Sequence, residues 1–247
     1  MKTNMRIFDT FDQGSLEWQA VRAGVVTASA ADALFTPKFA IKEGKAVDTY
    51  LSEVLAEKWL GAALPNFLSR AMEDGHIIEA QARSTYQFIH SEEIRQVAFI
   101  GSDDMSIGCS PDGIIGKDKG FELKCPQADT HVKYLLANKV PDEYIVQVHF
   151  SMFVTGFKEW VFMSYRHGFH DFIKVVDRDE KIIETIHDGV DDFLVRLKLA
   201  YDCLVALNDG EPPPPNGFRQ DVLDAQANPQ PPKPAPAPIG NDFYATA

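Results

Sequence analysis

The chain has 247 residues, 45% of them apolar, with 36 acidic against 24 basic side chains and a formal net charge of −12. That length and content predict one compact domain, no run is long enough to cross a bilayer, and the N-terminus shows no secretory apolar segment. Cys109, Cys125 and Cys203 have no C-x-x-C spacing, which argues against zinc or an iron–sulfur cluster and for a reducing cytoplasm.

The first predicted element is a short helix in Gly14-Ser-Leu-Glu-Trp18-Gln-Ala-Val-Arg22-Ala-Gly24. Ser15 suits its N-cap, Glu17 its positive end and Gly24 its stop. Arg22 in the last turn either offsets the helix dipole or, with the hydroxyls of Thr27 and Ser29 close by, makes a phosphate pocket. A loop around Pro37 follows; its basic stretch Lys38–Lys45 reads equally as a solvated loop and as a DNA contact. An amphipathic helix from about Asp48 to Leu60 comes next.

Residues Met72 to Tyr86 form a further predicted helix, with Met72, Gly75, His76, Glu79, Arg83 and Tyr86 on one stripe. Gly75 costs helix stability, so its presence suggests close approach of a backbone or ligand. Glu79 either pairs with Arg83 at i+4 on a wet face or supplies a carboxylate to a site.

Strands are predicted near 94–101, 105–110 and 120–125. Side chains at i and i+2 of a strand share a face, so Glu122 and Lys124 of Phe121-Glu-Leu-Lys-Cys125 point one way and Phe121, Leu123 and Cys125 the other. With Met105–Cys109 as the neighbouring strand, Asp112 of Ser110-Pro-Asp-Gly113 ends up close to Glu122. Two carboxylates and an ammonium on one sheet edge suit a divalent metal and a phosphodiester, the P-D…E-x-K pattern of many metal-dependent nucleases. A solvated hairpin with a cross-strand ion pair gives the same pattern.

Pro141 to Gly156 predicts an oily helix whose Tyr144, Gln147 and Ser151 share one polar face, turned either to solvent or to a phosphate and the attacking water. Strands at Trp160–Tyr165 and Phe172–Asp177 and a final helix from about Asp179 to Leu207 complete an α/β fold with a mixed central β-sheet flanked by helices. After Asn208 the prolines cluster, at Pro212–Pro215 and from Pro229 to Pro238. The chain therefore divides into a folded domain, 1–208, and a Pro-rich, extended and disordered tail, 209–247.

Four motifs in order, G-x-x-x-W-x-x-x-R-x-G-V-x-T-A-S, G-x-x-x-E-x-x-A-R, C-S-P-D-G…E-L-K-C-P and Q-V-x-x-S-M-x-V-T, resemble those of the lambda-type exonucleases, the YqaJ-like phage recombination nucleases. The resemblance covers roughly residues 13 to 200 and implies a restriction-endonuclease-like, PD-(D/E)xK core. It implies that Asp112 and Glu122, with the Leu123 carbonyl, hold one Mg2+, that Asp112 and Glu79 hold a second, and that Lys124 positions the attacking water with Gln147 near it. Mn2+ is a possible substitute. Arg22, Ser29 and Ser110 match positions that bind a terminal 5′-phosphate, and Met72 falls where the family places an apolar wedge at the duplex end. His149 stands where the pattern has a glutamine, and a histidine there predicts a contact sensitive to pH near neutrality.

The activity so implied is Mg2+-dependent 5′-to-3′ exonuclease digestion of double-stranded DNA, leaving 3′ overhangs for a single-strand annealing protein in the cytoplasm of a bacterial or phage-infected host. The acidic charge, of which the tail carries −3 and the body −9, is awkward for a DNA-binding protein. A homotrimeric ring, the family's assembly, needs positive potential only along its bore, for which Arg22, Lys38, Lys42, Lys45 and Arg70 are candidates. Two other classes stay open: an endonuclease on the same core, and a non-catalytic DNA-binding or recombination scaffold.

Overall fold

The computed structural model describes residues 5–65 and 71–227, the side chains of 71–77 and 226–227 excepted. Two mixed sheets form its centre. In the first, β1 (Met5–Phe8), β4 (Phe99–Ser102), β5 (Ile107–Cys109) and β2 (Val26–Thr27) lie side by side in that order; β2 and β5 are parallel and the other pairs antiparallel. In the second the order is β3 (Ile94–Arg95), β6 (Gly113–Ile115), β7 (Lys119–Lys124), β8 (Glu159–Ser164) and β9 (Phe172–Asp177), with β7 and β8 parallel. A parallel pair needs a long crossover. It runs here through α4 (Ala128–Ala137) and α5 (Asp142–Thr155).

α5 carries Val146, Val148, Phe150, Met152 and Val154, each no more than 1% exposed, and packs against strands of both sheets. Around it lie the 3-10 helix Ala28–Ala33 and α6 (Glu180–Leu207), whose N-cap Asp179 accepts from the amides of Lys181 and Ile182. The remaining helices are α1 (Leu16–Arg22), α2 (Lys45–Leu60), α3 (Ala71–His90) and α7 (Gly217–Ala227). Ser15 caps α1 by accepting from Trp18 N at 3.1 Å. Among the described residues no helix is long and apolar enough to cross a membrane.

Two expectations change. The strand before Asp112, β5, does not neighbour β7 but belongs to the first sheet; the partner of β7 is β6, which begins at Gly113. Ser110, Pro111 and Asp112 therefore carry the chain from one sheet to the other. Pro111 has no N–H for either ladder, and the Asp112 amide opens the second by donating to Phe121 O at 3.0 Å. Asp112 is still beside β7, from the start of one strand rather than the end of another.

The segment after Asn208 is not extended throughout. Residues 212–215 are prolines, but 217–227 are proline-free and form α7, with Asn216 Oδ1 accepting from Arg219 N at 3.2 Å. Val222 and Leu223 pack on the cluster of Phe8, Val21, Val25, Phe99 and Met105. Residues 228–247 lie outside the described residues.

Candidate active site

β7 alternates as its sequence predicts. Phe121 and Leu123 enter an apolar cluster with Ala82, Tyr86, Ile94, Val161 and Met163, while Glu122 and Lys124 share the opposite face. Glu122 is 2% exposed. A buried carboxylate needs charge and hydrogen-bond partners, and one oxygen finds both: Oε1 lies 2.6 Å from Lys124 Nζ and accepts from Gln147 Nε2 at 2.7 Å. Lys124 also sits 4.9 Å from the centre of the Tyr144 ring. The polar face of α5 is thus turned inward, onto β7, and Ser151 on it is buried.

Asp112 Oδ2 accepts from the Leu123 amide at 2.7 Å. Leu123 lies beyond the last β6–β7 pair, and a strand residue's N–H and C=O share an edge, so its carbonyl faces the Asp112 side as well. Burial, and then the charge of Glu122, push the Asp112 carboxyl up to about 7, against the pull of Lys124 and the Leu123 amide; Glu79 adds to the rise. Burial disfavours the Lys124 ammonium, but Glu122 and Asp112 outweigh it and hold Lys124 protonated well above its ordinary range.

Glu79, on α3, stands 3.9 Å from Arg83 at i+4, the helix pair that the spacing allows. It also lines, with Asp112, Arg83, Gln13 and Trp18, one cavity of about 520 Å³. Among the described residues no three His, Cys, Asp or Glu side chains already close around a metal-sized point. The donor set nevertheless fits a hard divalent cation. Its groups are carboxylate oxygens and a carbonyl, and the rise at Asp112 shows a site short of positive charge.

A second cluster forms beside the first. Arg22 donates from one terminal nitrogen to Ser110 Oγ at 2.8 Å and from the other to Ser29 Oγ at 3.2 Å. The Trp18 indole also donates to Ser110 Oγ, at 2.9 Å, and its ring lies 4.3 Å from the guanidinium carbon. Arg22 makes no ion pair among the described residues. Burial lowers its pKa, with Tyr50 and Glu57 opposing. Arg22 and Ser29 line a cavity of about 390 Å³ together with Thr27, Tyr50 and Glu57. A desolvated guanidinium held by hydroxyls rather than by a carboxylate is suited to an anion. Trp18 borders both cavities, a position its place in the first motif alone does not reveal.

The structure therefore brings together Arg22, Ser29 and Ser110, and separately Asp112, Glu122, Leu123, Lys124 and Gln147, with Glu79 lining the same cavity as Asp112. Arg70 and the Met72 side chain lie outside the described residues. Lys38 and Lys45 are exposed, and Lys42 donates to Asp32 O at 2.5 Å. His149 corrects an expectation. It is 4% exposed, its Nδ1 has no hydrogen-bond partner among the described residues, its ring meets Phe39 edge-on at 5.1 Å, and burial pushes its pKa down to about 4. It is neutral across the range in which pH sensitivity was expected.

Residues 17–158, more than half of the chain, match the profile of the YqaJ-like viral recombinase domain. The crystal structure of an alkaline exonuclease, LHK-Exo, from Laribacter hongkongensis is 28% identical, with a TM-score of 0.69 over 79% of this chain and 98% of that one; its complex with dAMP matches equally. A phage related exonuclease from Haemophilus somnus 129PT, at 11% identity, shares the fold with a TM-score of 0.53 over 74% of this chain and 95% of its own. That fold is restriction-endonuclease-like. No curated protein matches.

Proposed function

The chain belongs to the YqaJ-like viral recombinase domain family, and from that premise we propose that it is a divalent-metal-dependent exonuclease that degrades one strand of double-stranded DNA from its 5′ end, leaving 3′ overhangs for recombination. The observation that carries this reading is the short link between the two clusters: Ser110, the acceptor for Arg22 and Trp18, is two residues from Asp112. A terminal phosphate on Arg22 would lie within a nucleotide's reach of the acidic site.

Asp112, Glu122 and the Leu123 carbonyl are the residues to hold one Mg2+, and Asp112 with Glu79 a second. Bound Mg2+ supplies charge neutralisation at the phosphate and acidifies water. Lys124, beside Glu122 and Asp112, is the group to orient the attacking water or a non-bridging oxygen. Gln147 fixes Glu122 from the α5 side. Arg22, Ser29 and Ser110 bind the 5′-phosphate, so each cut that exposes a new 5′-phosphate renews the substrate. Met72 is the candidate wedge at the duplex end.

A net charge of −12 is awkward for an open DNA-binding face but not for a ring that encloses the duplex with positive potential only along its bore; the family resemblance makes that ring one of three copies. The 3′ strand would pass to a single-strand annealing protein in the host cytoplasm. Linear duplexes labelled separately at each end, with 5′-phosphate or 5′-hydroxyl and with or without EDTA, test the reading. Loss of label from 5′-phosphorylated ends first, abolished by EDTA, is expected. Nicking of a covalently closed circle, or equal rates on the two kinds of end, overturns it.

A further inference from the structure

We propose that the C-terminal helix α7 belongs to the end-recognition apparatus: Arg219 is a positioning residue that fixes α1, and through it Arg22 and Trp18, for the 5′-phosphate. This rests on the phosphate pocket proposed above.

α1 is seven residues long, too short to be stable by itself. Its C-terminal end also lacks a continued ladder. The Ala23 amide returns to Gln19 O, but the Gly24 amide leaves the helix to donate to Glu57 Oε2 at 3.1 Å, and the Val25 amide goes to Arg22 O at 3.0 Å. Helix-terminal carbonyls left this way need an outside donor. Arg219 supplies it twice: Nε donates to Ala20 O at 3.0 Å and a terminal nitrogen to Ala23 O at 3.2 Å. The two acceptors bracket Arg22 in sequence, and a cation there also meets the negative pole of the helix.

The clamp is itself anchored. Arg6 donates to Leu223 O at 2.9 Å, Val222 and Leu223 pack beside Val21 and Phe99, and Asn216 caps α7. At the end of α1, Gly24 has φ +69°, and a Cβ there would lie 2.7 Å from Lys58 Cα, so α2 abuts that end directly; Gly61, which closes α2, in turn abuts Asn216 at the start of α7. The C-terminal end of α1 is thus held by both α2 and α7. The contacts it must keep are the 2.8 and 3.2 Å bonds of Arg22, which a shift of about an ångström would break. Arg219 lies beyond the residues 17–158 that match the family profile, so the profile assigns it no role.

Full-length Arg219→Ala and Arg219→Gln proteins, assayed on duplexes with 5′-phosphate and 5′-hydroxyl ends, test the proposal. For phosphorylated ends KM is expected to rise about tenfold with kcat changed less than about twofold, and rates on hydroxyl ends to stay within about twofold, as for loss of one charged contact to substrate. In an Arg22→Ala background Arg219→Ala should add nothing to discrimination. Arg219→Lys, which keeps a charged donor, should recover part of the preference. A folded Arg219→Ala protein with wild-type preference, or one that loses both substrates and kcat alike, overturns the proposal; should alanine prevent folding, the glutamine variant is read by the same two outcomes. A wild-type protein with no preference for phosphate overturns the pocket itself and the brace with it.

Discussion

Trp18 Nε1 donates to Ser110 Oγ across 2.9 Å, joining a helix near the N-terminus to the crossing that presents Asp112 two residues later. The same serine oxygen accepts from Arg22, so Trp18 sets where the guanidinium and the acid stand relative to each other. Trp18→Phe keeps a ring beside Arg22 but removes the N–H. The expected result is a loss of about fivefold in kcat/KM on 5′-phosphorylated ends, the worth of one hydrogen bond, with little change on hydroxyl ends. Equal losses on both would make Trp18 a packing residue only.

Lys124 and Gln147 meet on one oxygen of a carboxylate that is 2% exposed. Lys124→Ala removes the only cation on Glu122 among the described residues and leaves a buried charge with an amide for company. Activity should fall about 100- to 1000-fold. Metal-free stability should also drop by roughly 2–3 kcal/mol, discounted because Lys124 is partly solvated. Denaturant melts in EDTA read the second effect separately from the first, and a variant as active as wild type would remove Lys124 from the chemistry.

Asp112 predicts the opposite sign for stability. Its folded carboxyl titrates at about 7, raised by burial and by Glu122, against an ordinary 3.8. Between those values the folded state binds the extra proton, so the group's contribution to stability declines as pH climbs from about 4 to about 7 and stays low above. Asp112→Asn is neutral and still accepts from the Leu123 amide. Without metal it should melt above wild type at pH 8, with the difference vanishing near pH 4. It should also be inactive and lose the rise in melting temperature that Mg2+ gives wild type.

The alternation of Glu122 and Lys124 against Phe121 and Leu123 was legible because strand period depends on local sequence alone. The partner of β7 was not, since Gly113-Ile-Ile is a three-residue strand with no period to read. The contact of Arg22 with Ser110 spans 88 residues and leaves no local trace; only the order of the motifs pointed to it. α7 was hidden by its neighbours, because a window that includes Pro212–Pro215 and Pro229 onward reads as extended although 217–227 contain no proline. The inward turn of Gln147 was open from the sequence, since a polar stripe on an oily helix suits either solvent or a buried acid. It was Glu122, across from it on β7, that decided.

His149 gives a limb of acid sensitivity that belongs to the fold and not to the reaction. Burial holds the ring neutral, with a pKa of about 4 against an ordinary 6.5. The unfolded chain therefore takes up a proton first as pH falls, and stability is full above about 6.5 and lost progressively toward 4, by up to about 3 kcal/mol. His149→Gln has no such titration and should flatten that part of the stability curve. The opposing limb of Asp112 is common to both proteins, so the difference between their denaturant midpoints, followed from pH 4 to 7, isolates the histidine. Activity between pH 7 and 9 should change little, because the ring is already neutral there. A curve for His149→Gln that runs parallel to wild type would mean that the imidazole reaches water in the folded protein.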